Sequence, residues 1–146
     1  MIYWPYGNQE STVKTTIRLQ VALALIVVTA LGYALKFYPG PGRWWVNNWG
    51  PASIAYEIIF MLLAFIVVPR RRAITPIAVG VCSMTCVLEF LQLWKPPWLQ
   101  SIRSTFFGKA LLGDSFSWWD LPAYPIGCLA GWYLLEWLYH NSRVES

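Results

Sequence analysis

The chain has 146 residues, of which 57% are hydrophobic and only 12% charged, and its mean hydropathy is positive. That composition excludes an ordinary soluble domain and a disordered segment, and it belongs to membrane proteins. The net charge of +4 comes from eleven Lys and Arg scattered among segment ends, which excludes a nucleic-acid surface and leaves membrane lipids as the expected partner.

Residues 1–14 lack the basic, apolar and small-residue order of a cleavable signal, so no N-terminal removal is expected. The first apolar run spans about 16–38, interrupted by Arg18, Gln20 and Lys36 near its ends, from where long side chains reach the interface. Pro39-Gly40-Pro41-Gly42 cannot continue a helix, and the mixed aromatic and polar run 43–50 reads as a loop lying at the bilayer surface. A second span is predicted at about 51–68, opened by Pro51 and stopped by Pro69 before Arg70, Arg71 and Arg72. A third covers 73–94 and ends before Pro96 and Pro97. Leu99, Ile102, Phe106 and Ala110 then recur at roughly helical spacing, which predicts a short amphipathic or re-entrant helix over 99–112, ended by Gly113. A fourth span is predicted at about 121–139, with Asp120 as its N-cap and Pro122 in its first turn. Gly127 and Gly131 give it the small-residue spacing that lets another helix approach.

The predicted fold is therefore an all-α membrane protein: a single integral domain over 1–146, with four transmembrane helices and a short amphipathic or re-entrant segment between the third and fourth. Many of the 10 Trp cluster where apolar runs meet polar ones, as interfacial anchors do. By the positive-inside rule, the short middle loop carrying Arg70–Arg72 is expected to place both termini in the cytoplasm, with residues 95–120 outside.

The chemistry concentrates near that outer face. Glu89 and Gln92 share a helix face with Thr85 and Cys82, and Glu89 lies about 7 to 8 Å below the helix end at Trp94. Glu57 lies roughly 9 Å below the same face on the second span. A carboxylate at such depth needs a donor, a cation or a wet cavity. Arg103 is the expected bidentate partner for Glu89, with Gln92 alongside and Asp114, Asp120, Lys109 and Ser104 in the same segment. Two readings remain open: a ligand-binding site, or an ion pair that pins a loop onto the helices. The sole histidine, His140, sits at the opposite face, so no Ser-His-Asp or Cys-His set is visible and no catalytic residue is assigned. No cofactor fingerprint and no metal-ligand set accompany the carboxylates. Cys82, Cys86 and Cys128 fall in apolar runs and read as packing residues.

The run Leu88-Glu89-Phe90-Leu91-Gln92-Leu93-Trp94, followed by Pro97-Trp98-Leu99, Ile102-Arg103-Ser104-Thr105, Gly108, Leu111-Leu112-Gly113, Phe116, Trp118 to Leu121, Tyr124 and Gly127, resembles a bacterial membrane family catalogued as domain of unknown function 2809. The resemblance covers roughly residues 20–138. It implies that Glu89, Gln92, Arg103, Thr105, Trp119, Asp120 and Tyr124 hold the family's polar motif positions. It also implies an acidic residue before the second span, where this chain reads Trp49-Gly50-Pro51-Ala52 and Glu57 stands as the substitute. A fainter similarity links the Glu-x-x-Gln, Arg and Asp pattern to VanZ-like proteins of the cell envelope, by analogy alone.

The expected binding residues are Glu89, Gln92, Arg103, Thr105, Asp120 and Tyr124, with Glu57, Asp114 and Trp119 as additional candidates. They would receive the polar headgroup of a lipid or lipid-linked envelope precursor at the outer face. The alternative is a non-catalytic accessory or scaffold subunit of a larger membrane complex, or a homo-oligomer, using the Trp-rich rim and the Gly127–Gly131 face as contacts.

Overall fold

A computed structural model describes residues 6–43, 46, 50–108 and 116–144, with side chains placed from Thr15 to Ser142 within them. All regular structure among the described residues is helical: α1 (Tyr6–Lys36), α2 (Pro51–Val67), a 3-10 turn (Arg71–Ala73), α3 (Ile74–Leu91), α4 (Pro97–Arg103) and α5 (Asp120–Val144). Two stretches, Thr15–Lys36 and Arg71–Leu91, are long and apolar enough to cross a membrane, and α2 is a shorter apolar helix.

Helix and apolar run do not share boundaries. α1 begins ten residues before the predicted span and α5 continues five residues past it, because hydropathy limits what the bilayer covers but not what backbone hydrogen bonding can wind. α1 stops at Lys36 because Pro39 disfavours helical backbone at Tyr38. α2 opens on Pro51 after Gly50, whose φ of 44° is a left-handed turn that a side chain would strain. The expected 99–112 helix is interrupted: α4 ends at Arg103, Ser104 and Thr105 form a turn, and the backbone is helical again at 106–108. Its expected end at Gly113, together with Lys109 and Asp114, lies outside the described residues, as do Trp44, Trp45 and 47–49 of the first loop.

α5 packs on α2, α3 and α1, and α2 in turn packs on α1 and α3. The apolar core joins Ile17 and Val21 of α1, Met61, Leu62 and Phe65 of α2, Ile74 of α3, and Leu135 and Leu138 of α5. It fills the part of the bundle toward the Arg71 turn. There Arg71 Nε donates to Glu136 Oε2 at 3.1 Å and Trp132 Nε1 donates to Thr75 Oγ1 at 3.1 Å.

The Gly127–Gly131 spacing does what small residues at helical spacing allow. A Cβ on Gly127 would stand 2.7 Å from Glu57 Cβ and 3.0 Å from the Ile54 carbonyl oxygen, and one on Gly131 would stand 2.7 Å from Met61 Sδ. The glycine face of α5 is thus closed by α2 of the same chain. The outer surface is apolar in stripes: Leu19, Leu23, Ile26, Val27 and Leu31 on α1, Val79, Met84 and Val87 on α3, and Ile126, Leu129, Tyr133 and Trp137 on α5 are all exposed.

Candidate functional site

At the end of the bundle away from the Arg71 turn, α5 presents polar side chains at every fourth residue. Asp120, Tyr124 and Cys128 fall on one face by the 3.6-residue period, and each meets a partner from a neighbouring helix. Ser53 Oγ of α2 donates to Asp120 Oδ1 at 2.8 Å. Tyr124 Oη donates to Glu89 Oε2 at 2.6 Å. The Cys128 thiol donates to Glu57 Oε2 at 3.2 Å. The result is a column of polar pairs descending between α2, α3 and α5.

Glu89 is the hub of this column. It is 2% exposed, and its carboxylate accepts three bonds: the Ser117 backbone N–H at 2.7 Å on Oε1, and Tyr124 and the Gln92 amide nitrogen, the latter at 3.1 Å, on Oε2. Three donors converging on one carboxylate replace the water lost on burial. The expected Arg103–Glu89 bridge is not formed. Arg103 turns instead to the end of α3, where Nη2 donates to the Leu91 carbonyl at 2.9 Å and Nη1 to the Trp94 carbonyl at 3.2 Å. The Leu91 carbonyl, at the negative end of the helix dipole, takes one backbone N–H from Trp94 and keeps a second lone pair, and the Trp94 carbonyl lies in the turn just beyond, so both can draw the guanidinium where Glu89 is already satisfied by neutral donors. α4 therefore faces inward with Leu99 and Arg103, while Trp98 and Ile102 are exposed.

Asp120 is half-buried at the head of α5. Burial pushes its carboxyl above the ordinary aspartate value of 3.8; the Ser53 hydroxyl pulls it down, the nearby Glu89 pushes it up and Lys36 pulls it down. Thr105 is not brought to the column: it is exposed, its hydroxyl donates to the Ile102 carbonyl at 2.7 Å and accepts the Gly108 N–H at 3.0 Å, and it closes the turn after α4. Gly108 is required there because a Cβ would collide with the Ile102 carbonyl. Trp119 is exposed beside the column, and Asp114 lies outside the described residues.

Ser53, Ser117 and Cys128 belong to the arrangement and were not expected from the sequence. Ser117 acts through its backbone N–H and carries no signal in the sequence. For Ser53 and Cys128 the signal was the shared spacing, Ser53 and Glu57 four apart on one helix and Asp120, Tyr124 and Cys128 four apart on another. Reading it as one column requires knowing that the two helices face each other.

Residues 41–128 match a family described as Protein of unknown function (DUF2809). The chain belongs to this family. The matched stretch takes in α2, α3, α4 and the first turns of α5, so the whole column from Asp120 to Glu57 lies inside the DUF2809 region. No solved structure matches the chain.

Among the described residues of that DUF2809 region, three buried side-chain atoms have no hydrogen-bond partner: Glu57 Oε1, Gln92 Oε1 and Arg103 Nε. An unmet buried donor or acceptor costs on the order of 1 to 3 kcal/mol, which folded proteins rarely tolerate without a reason. Among the described residues no set of three or more His, Cys, Asp or Glu is placed to hold a metal ion. Chemically these atoms offer one N–H donor and one acceptor at the end of α3, on Arg103 and Gln92, and a second acceptor on Glu57 beside Cys128.

Proposed function

We propose that this DUF2809 protein is a four-span protein of the bacterial plasma membrane, with both termini cytoplasmic, whose outer-leaflet end binds the headgroup of a lipid or lipid-linked envelope precursor. The four-span topology is supported by two helices long enough to cross and two more packed between them, and by exposed apolar stripes on α1, α3 and α5 that water would not tolerate but acyl chains would cover. The segment 94–108 then lies at the outer interface, with Trp94, Trp98, Phe106 and Phe107 turned out as interfacial aromatics.

The observation that carries the binding reading is the pair of buried, unpartnered atoms at the end of α3, Arg103 Nε and Gln92 Oε1. A purely structural pin would spend all of its capacity internally. Here a donor and an acceptor are held in place by bonds from their neighbouring nitrogens and left with capacity for something else. The accessory-subunit alternative loses one of its two contact faces, because α2 already fills the Gly127–Gly131 groove.

Native mass spectrometry of protein extracted from its own membrane tests the reading. A lipid adduct that survives activation in the wild type and is lost in Gln92→Ala that still melts cooperatively, at a lower temperature because its bond to Glu89 is gone, is the expected result. Protein that carries no lipid, or carries the same lipid in both forms, refutes headgroup binding at this place.

A further inference from the structure

We infer that the group held at the end of α3 is an uncharged hydroxyl of a sugar-type headgroup, not a phosphate. The inference rests on the headgroup reading above and narrows its ligand.

A phosphate site gathers several donors, and an arginine serves it best by offering two parallel N–H groups as a fork. Arg103 has no free fork. Both terminal nitrogens are committed to the Leu91 and Trp94 carbonyls, at 2.9 and 3.2 Å, and only Nε remains. The second free atom is an acceptor. Gln92 donates its amide nitrogen to Glu89 Oε2 at 3.1 Å, the oxygen that also accepts the Tyr124 hydroxyl, so turning the amide round would set its carbonyl oxygen against a carboxylate oxygen. Its carbonyl oxygen is left without a donor, and a phosphate oxygen brought to it would set lone pair against lone pair.

The surrounding charge points the same way. Glu89 lies beside Gln92, and Asp120 is close enough for Glu89 to push its carboxyl upward. An anion would meet Glu89 and Asp120, against which stand Lys36 and the Arg103 guanidinium, whose two terminal nitrogens are already committed. A hydroxyl has one donor and up to two acceptor sites, so it can meet an orphan N–H and an orphan C=O without bringing charge. The two side chains are 4% and 7% exposed, so whatever satisfies them is enclosed by the protein. Specificity follows from the cost of leaving them unmet: a ligand lacking the hydroxyl abandons two buried polar atoms.

The test uses the full chain in an amine-oxide detergent, whose headgroup carries no hydroxyl. Melting is followed alone and with monoglucosyl diacylglycerol, phosphatidic acid or soluble methyl glucoside. The expected result is a rise of several degrees with the glucolipid and none with the other two. That rise should vanish in Gln92→Met and persist in Trp132→Phe, which loses a hydrogen bond at the far end of the bundle. Should Gln92→Met fail to fold, native mass spectrometry of the wild type in an equal mixture of both lipids decides, with retention of the glucolipid expected. Selective retention of phosphatidic acid overturns this inference and leaves the headgroup reading standing. Methyl glucoside acting as strongly as the glucolipid supports the hydroxyl chemistry and overturns the lipid source. No response to any probe overturns both, with ordered water satisfying the two atoms.

Discussion

The Tyr124 hydroxyl sits 2.6 Å from Glu89 Oε2, the oxygen that also receives the Gln92 amide, so a residue from α5 and one from the end of α3 share a single buried carboxylate. With the Ser117 N–H on the other oxygen, this carboxylate ties α3, α5 and the chain entering α5 together.

Removing the hub should therefore cost more than removing one spoke. Tyr124→Phe keeps the ring and deletes one charge-assisted bond, an expected loss of about 1.5 to 3 kcal/mol. Glu89→Ala strands three donors at once and should lose clearly more. Unfolding by graded denaturing detergent would measure both, and equal losses would show that Glu89 is not the shared anchor.

The glycine groove predicts an asymmetry between two identical changes. At Gly127 an added methyl meets Glu57 Cβ and the Ile54 carbonyl oxygen, neither of which can swing away, so Gly127→Ala should cost about 1 to 3 kcal/mol. At Gly131 the obstacle is the Met61 sulfur, the end of a flexible side chain, so Gly131→Ala should cost less. The reverse order in detergent melts would mean that α2 and α5 do not pack in this register.

Most helix positions, and Glu57, Glu89, Asp120 and Tyr124 of the column, were legible because proline, hydropathy and four-residue spacing are local properties of the chain, whereas Ser53 and Cys128 were not. Pro39, Pro51 and Pro96 each mark a helix boundary, and Glu89, Gln92, Asp120 and Tyr124 fall in one constellation. Which donor reaches which acceptor was not legible. Arg103 could satisfy either Glu89 or the carbonyls ending α3, and the choice depends on Tyr124 and Ser117 arriving at Glu89 from a helix more than 25 residues downstream. The glycine spacing on α5 likewise announced a close neighbour without naming α2.

Asp120 gives the bundle a pH dependence of defined sign. Burial raises its carboxyl above the ordinary 3.8, so the folded chain holds this proton more tightly than the unfolded one. Its contribution is fully favourable below the ordinary value and is lost as pH rises through the raised folded value. Asp120→Asn cannot ionise and should remove that slope. The difference in melting temperature between wild type and Asp120→Asn, followed upward through this window, should fall with pH; a rising difference would contradict the burial argument.

Orientation is best probed beside the Arg71 turn and not at Arg71, whose bridge to Glu136 a substitution would break. In a background with Cys82, Cys86 and Cys128 replaced, Arg72→Cys should react only with a membrane-permeant reagent, and Arg43→Cys with an impermeant one in intact cells. Labelling in the opposite sense inverts the topology and moves the polar column to the cytoplasmic leaflet.

Arg103 separates a pin on the helix end from an ion pair with Glu89. Arg103→Lys keeps the charge but offers a single ammonium in place of two fixed nitrogens, so it should not restore the bonds to both Leu91 and Trp94. Arg103→Gln and Glu89→Gln provide the second arm. Were the two side chains paired, each single change would leave a buried charge uncompensated and the double change would recover much of the loss. Because they have separate partners, the losses should add to within about 0.5 kcal/mol. The same variants should differ in where they loosen the chain. Arg103→Lys should open the stretch from Trp94 to Gly108 to protease while the α3–α5 contact at Tyr124 stays protected, and Glu89→Gln should do the opposite. Recovery in the double variant, or identical cleavage patterns, would restore the ion pair and remove the free Nε on which the hydroxyl-binding proposal depends.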